Sequence, residues 1–263
     1  MRLSPFLVEK TLDDYSKLTY HNREHTERML EGFGTWVDAN RGLPDILVRI
    51  GEASILFHDV QYVISRNNNE EVACEYARKA LEPCGWNKYF IQAVCDIIMT
   101  TVPFTDFSPT FNYFPRTGFQ KGLHDLVDII HDLDWFSFSS EEMVLQNHEK
   151  IFQEAYYHIG EGFAFIHPEI DFLKFDIRKN QYEFYRRLKE KVVLDGYLFR
   201  SEYFNYISLE ETLFNIDAVT DKARDDMYYA YQDLKEEVRK WNEENPDCKK
   251  ELPPDLFEEE GQK

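Results

Sequence analysis

The chain has 263 residues, 43 % hydrophobic and 16 % aromatic, which is ample material for a core and excludes disorder over most of its length. Its 11 Gly and 10 Pro are too few for the many tight turns of a β-sandwich or barrel, so helices are expected. A formal net charge of −19 with no Lys- or Arg-rich run argues against a DNA or RNA duplex as partner.

Residues 1–40 read as helix-rich, with Thr11 or Asp13 as a candidate helix start and Met29, Leu30, Phe33 and Val37 at helical spacing. Leu43-Pro44 marks a break. A helix over 45–63 is apolar nearly all round and is therefore expected to be central. The polar string 65–69 reads as a loop, 70–81 as a helix stopped by Pro83 and Gly85, and 93–101 as a helix ended by Pro103. Residues 102–122 hold three Pro, two Gly, five Phe and Tyr113. A loop of that length has two readings, a compact loop packed by its own side chains or a lid or partner surface. Helical patterning returns over 123–134, 140–159, 172–191 and 210–241.

Residues 225–263 carry 13 acids against 6 bases, and Pro253-Pro254 ahead of Glu258-Glu259-Glu260 suggests a disordered acidic tail over 246–263. No internal repeat or linker separates two domains, so a single all-α domain over 1–245 is expected. No stretch approaches the ~18 consecutive apolar residues of a spanning helix, and MRLSPFLVEK lacks the apolar core of a signal peptide. The four Cys form no CxxC pair, which suits a reducing compartment. A cytoplasmic protein with no membrane partner is the expectation, and its oligomeric state is left open.

Three polar clusters stand out. Tyr20-His21-Asn22-Arg23-Glu24-His25 places two His at i and i+4, one turn apart on one helix face. His58-Asp59 ends the most apolar helix, where an uncompensated polar group costs roughly 2–7 kcal/mol. His131-Asp132-Leu133-Asp134 again sets acids behind an apolar helix. Singly, each has an ordinary explanation as a cap, a C-terminal His or a core pair. Together, imidazole nitrogens and carboxylate oxygens make a donor set suited to divalent metals.

The order His25, His58-Asp59, Asp134 resembles the ligand set of the HD-domain metal-dependent phosphohydrolase superfamily, an all-α fold. More narrowly it is similar to predicted HD phosphohydrolases with a YHN-x-x-H, HD-x-x-Y, NEE and DxD-like pattern, here Tyr20-His21-Asn22 with His25, His58-Asp59-Val60-Gln61-Tyr62, Asn69-Glu70-Glu71 and Asp132-Leu133-Asp134. Tyr185-Arg186-Arg187 and Leu198-Phe199-Arg200-Ser201-Glu202-Tyr203 extend the likeness towards residue 220. The YHN-x-x-H element is also similar to that of cyclic-nucleotide phosphodiesterases, where the first His is the proton donor and the second a metal ligand.

The resemblance implies a phosphohydrolase that acts through a metal-activated water on a small phosphorylated metabolite, a nucleotide above all. His25, His58, Asp59 and Asp134 become ligands of a divalent ion (Mn, Mg, Fe, Ni, Co or Zn), with Asp132 a second choice for the last place. His21 becomes the general acid, assisted by Glu70 or Glu71, whose alternative role is at the start of the 70–81 helix. Arg200, with Arg186 and Arg187, offers guanidinium groups for a phosphate, or surface ion pairs with Glu183, Glu190 and Glu202. One departure is that Ile97-Ile98-Met99-Thr100-Thr101 leads into Val102-Pro103-Phe104 without the His that the subfamily carries there. That favours a mononuclear site unless His124 or His131 substitutes, and it leaves open a module that binds a nucleotide or protein partner without turnover.

Overall fold

A helix that is apolar on almost every side is stable only when surrounded, and residues 45–57 form such a helix. In the computed structural model, which describes residues 3–15, 18–60, 68–163, 172–254 and 257, no strand occurs among the described residues. The helices are α1 (Pro5–Asp14), α2 (Arg23–Ala39), α3 (Asp45–Phe57), α4 (Asn69–Leu81), α5 (Lys88–Ile98), α6 (Thr117–Asp134), α7 (Glu141–Phe163), α8 (Phe172–Asp195) and α9 (Leu209–Glu244). None of them is long and apolar enough to cross a membrane. The fold is all-α, as the composition implies.

The chain packs as two compact units, 1–137 with 195–211 and 138–194 with 212–263, where the sequence suggested one domain to residue 245. In the first unit α3 is the hub, packed against α1, α2, α4, α5 and α6. Ile50, Ala53, Ile55, Leu56 and Phe57 are fully buried. Two glycines permit the closest approaches. A Cβ on Gly51 of α3 would stand 2.3 Å from the Phe33 ring of α2, and one on Gly122 of α6 would stand 2.4 Å from Leu47 of α3.

Several boundaries differ from the sequence reading. Thr11 and Asp13 lie inside α1, which starts instead at Pro5, a residue whose fixed φ suits a first turn. The α-helix expected over 45–63 ends at Phe57, and a turn covers 58–60. The expected continuation over 61–63 and the polar loop at 65–67 lie outside the described residues. The aromatic segment is shorter than expected, because α6 begins at Thr117. Its rings pack on one another and on α5: Phe114 stacks on Phe90 with centroids 5.8 Å apart, Tyr113 stacks on Tyr89 at 6.1 Å, and the Tyr113 hydroxyl donates to Asp96 at 2.7 Å. Phe104 and Phe111 hold positive φ, and Phe111 is only 1 % exposed, so burying its ring offsets a backbone conformation that L-residues avoid.

In the second unit, Phe175 of α8 packs with Met227, Ala230, Tyr231, Leu234 and Val238 of α9. His148 of α7, fully buried, lies 3.0 Å from Asp226 of α9 and 3.3 Å from Arg178 of α8, whose guanidinium also donates to Glu149 and Gln181. The expected disordered tail is in part folded back. Asn242 exchanges two hydrogen bonds with the Lys250 backbone, the Trp241 indole donates to Cys248 O, and the Phe257 ring lies 5.1 Å from that of Tyr228. The acidic run 258–260 lies outside the described residues.

Replacing Gly51 by Ala drives a methyl into the Phe33 ring at the hub. A loss of about 1–3 kcal/mol is expected, and urea denaturation of G51A beside the wild type measures it.

Candidate metal centre

Four residues from three distant parts of the sequence meet at one end of α3. His25 is the third residue of α2, and Asn22 fixes it there: the Asn22 side-chain oxygen accepts from the His25 backbone N–H at 3.1 Å, a cap of ordinary geometry. The Asn22 amide in turn donates to Leu18 O and Thr19 O, both at 3.0 Å, so the approach to the helix is held as well. This corrects the expectation that His21 and His25 share a helix face. His21 precedes the helix, and its half-buried ring lies 6.4 Å from that of His25. Tyr20 lines the His25 ring at 5.1 Å.

His58 terminates α3, and its Nδ1 lies 2.8 Å from Ile55 O, one of the carbonyls a helix end leaves unpaired. Nδ1–H donates there, which leaves Nε2 as the ligand atom and fixes the ring plane. Asp59 follows in the turn, and Asp134 is the last residue of α6. His25 Nε2 is 3.2 Å from Asp134 Oδ1 and 3.9 Å from Asp59 Oδ2; His58 Nε2 is 2.9 Å from Asp59 Oδ2 and 3.9 Å from Asp134 Oδ1. Donors each about 2.0–2.2 Å from a shared ion stand about 3–4 Å from one another. The buried group His25, His58 and Asp134 therefore has the spacing to hold a metal ion, its ligand atoms all within 4.8 Å, and Asp59 borders it.

Two observations suit a cation at this cluster. His25 Nε2 and His58 Nε2 are both buried and have no hydrogen-bond partner, although carboxylates lie within 4 Å of each. Buried polar atoms without partners are rare and costly. Asp134 also sits at the negative end of a helix dipole, where an acid is disfavoured by about 0.3–1 kcal/mol. A cation among these atoms answers both.

The charges respond to one another. Burial holds the His25 pKa below its ordinary value despite nearby Asp134, which keeps its ring neutral and free to ligate. Burial also opposes a charge on His58, but the Asp59 carboxylate beside it, reinforced by Asp134, outweighs burial and pushes its pKa up to about 9. Burial likewise works against the Asp59 carboxylate, yet His58 and His21 hold it ionised, well below the usual carboxylate range.

Glu70 is half-buried in the first turn of α4. Burial raises its pKa, Asp59 and Asp134 add to the rise, and the His58 charge opposes it, so it lies within electrostatic reach of the cluster. Glu71 is exposed.

Asp132, the alternative last ligand, is engaged elsewhere. It is fully buried and accepts from Arg200 N at 2.8 Å, Ser201 N at 2.7 Å and Ser201 Oγ at 2.6 Å, and so anchors the 195–211 segment to α6. The Arg200 side chain is exposed, and its charge reaches Asp128 and His131. Arg186 is in the second unit, exposed and paired with Glu183 at 2.9 Å and Glu190 at 2.7 Å. His124 is exposed with its ring edge-on to Phe111, while His131 lies 3.2 Å from Asp132 and stacks on Trp135. Neither belongs to the metal-holding group found among the described residues.

Two residues acquire roles that the sequence reading did not assign. The Asn22 cap was legible as an Asn three positions before a helical His. Asn69 was marked only as the first residue of the Asn69-Glu70-Glu71 pattern: its side-chain amide donates to Asp59 Oδ1 at 2.9 Å and to His58 O at 3.2 Å, contacts that depend on where α4 starts in space. Compared with family models, curated proteins and solved structures, the chain gives no match.

Because the His58 pKa lies above its ordinary 6.5, its charge contributes stability that is full below about pH 6.5 and is lost as pH rises through 9. A cation must displace that proton, so divalent-ion affinity is expected to rise about tenfold per pH unit between 6.5 and 9 and then level. Calorimetric titration of chelator-treated protein with Mn²⁺ at pH 6.5, 7.5 and 8.5 measures the slope.

The buried Asp132 clamp gives a second expectation. D132A leaves two backbone donors and a hydroxyl without their acceptor and is expected to cost about 3 kcal/mol in a urea melt.

Proposed function

We propose that this chain is an HD-type metal-dependent phosphohydrolase that cleaves a phosphoester of a small metabolite, with a nucleotide as the substrate class. The observation that carries the proposal is the pair of buried imidazole Nε2 atoms without hydrogen-bond partners, set against Asp59 and Asp134. Their order in the chain is the one the superfamily resemblance implies.

In this reading His25, His58, Asp59 and Asp134 hold one divalent ion, of the Mn, Mg, Fe, Ni, Co or Zn set. Such an ion supplies Lewis-acid charge for a phosphoryl oxygen and lowers the pKa of water. The protein does the rest. His21, half-buried beside His25, carries an N–H to the leaving oxygen. As the bond from phosphorus to that oxygen breaks, the oxygen takes the His21 proton, while water bonds to phosphorus through its own oxygen and releases its proton to solvent. Glu70, a carboxyl within electrostatic reach of the cluster, would favour the protonated form of His21. Arg200 meets the phosphate with an exposed guanidinium whose backbone is fixed by Asp132. An acidic protein binds an anion in this way because the ion supplies a local positive charge.

A module that binds a nucleotide or protein partner without turnover is the second reading. It is favoured by the absence of further His, among the described residues, from the metal-binding group, His124 and His131 being turned to Phe111 and Asp132.

Metal content and phosphate release with added Mn²⁺, on a panel of nucleotide monoesters and diesters, separate the readings. The wild type is expected to hold near-stoichiometric metal and to release phosphate or nucleotide, and His58→Ala to lose both. His21→Ala is expected to keep its metal and to lose about 10²–10⁴-fold in kcat. Turnover by metal-free His58→Ala overturns the mechanism, and metal without turnover in the wild type selects the binding module.

A further inference from the structure

Asn69 is 1 % exposed, and its two amide atoms are in opposite situations. Nδ2 makes two hydrogen bonds, to Asp59 Oδ1 and His58 O, while Oδ1 is buried without a partner. The amide cannot turn over to relieve this, because a flip would set Oδ1 against two oxygens that only accept. Nor is Asn69 serving as a helix cap: it is the first residue of α4, the cap position is Asn68, and no side-chain capping bond forms there. An Asn that fills space alone would not keep a buried acceptor unpaired beside a carboxylate.

The contacts made by Nδ2 bracket the two residues of the His58-Asp59 turn. With Oδ1 of Asp59 tied to Asn69, Asp59 Oδ2 is the oxygen left facing His58 Nε2 and His25 Nε2. The bond to His58 O holds the same turn from its backbone, so the carboxylate and the imidazole are fixed by one amide. The Cα of Asn69 also sets the start of α4, one residue ahead of Glu70.

We infer that Asn69 is a positioning residue of the proposed metal centre, which orients the Asp59 carboxylate so that Oδ2 is turned towards the His25 and His58 Nε2 atoms. The inference rests on the metal centre proposed above. It concerns how that centre is built, and so it is tested by ion binding without substrate. Partners that orient metal ligands in this way are typically worth 10–100-fold in affinity.

The test is calorimetric titration of the chelator-treated full chain with Mn²⁺, together with the electron paramagnetic resonance spectrum of the bound ion. Asn69→Leu, close in volume, is expected to bind Mn²⁺ about 10–100-fold more weakly and to give a Mn²⁺ spectrum with altered zero-field splitting, because the Asp59 oxygen is no longer fixed. Asn69→Ser keeps one small donor and is expected to fall between the two; it stands in for the Leu variant if that one does not fold, as judged by circular dichroism. Wild-type affinity and spectrum in a folded Asn69 variant overturn the inference while leaving the metal centre intact. No Mn²⁺ binding by the wild type overturns both.

Discussion

Everything at the His58-Asp59 end of the first unit follows from placing carboxylates where water is scarce. Asp59 is buried and Asp134 largely so, at the mouth of a core whose central helix is apolar on nearly all sides. Two unpaired carboxylates there would be strongly destabilising, so the fold brings positive or positively polarised groups to them. The means are the His58 imidazole held by Ile55 O, the His25 imidazole held through the Asn22 cap, and the Asn69 amide. Without an ion, a proton on His58 supplies the charge; a bound ion would take that proton's place. The acids thus account for the close gathering of the two imidazoles and for the raised pKa of His58.

How much of this could be read from the chain depended on range. The apolar run after residue 45 identified the hub, and placed His58-Asp59 at the end of a buried helix, because helical periodicity is local. His25, His58, Asp59 and Asp134 were nominated by their order, and the structure brings their side chains together across elements far apart in sequence. Spacing misled at His21: two His at i and i+4 suggest a shared face, but Asn22 starts the helix between them. It was also silent on Asp132 against Asp134, because both follow the same apolar helix. Only the position of residues 200 and 201 shows that Asp132 faces backbone donors and Asp134 faces the imidazoles.

The aromatic segment and the C-terminal stretch show a different kind of illegibility. Composition marks 102–122 as unusual, and the packing of Phe90, Tyr89, Phe114 and Tyr113 gives those rings a role in covering α5. Beyond residue 245 the count of acids suggested solvation, yet Asn242, Trp241 and Tyr228 offer specific partners to the returning chain. Net charge describes a segment's average, whereas a few hydrogen bonds and ring contacts decide where it lies.

The elements that supply the metal-holding atoms have a mechanical consequence. His25 belongs to the first turn of α2, His58 to the end of α3 and Asp134 to the end of α6, so a single bound ion would be a crosslink between residues 25 and 134. Those three elements bring the ligand atoms together only when the unit is folded, so the ion would bind the folded chain in preference to the unfolded one. An ion at a hundred times its dissociation constant would add about 2.7 kcal/mol to the folded state. Loading would then be visible as a change in how readily α6 separates from α2, before any substrate is present.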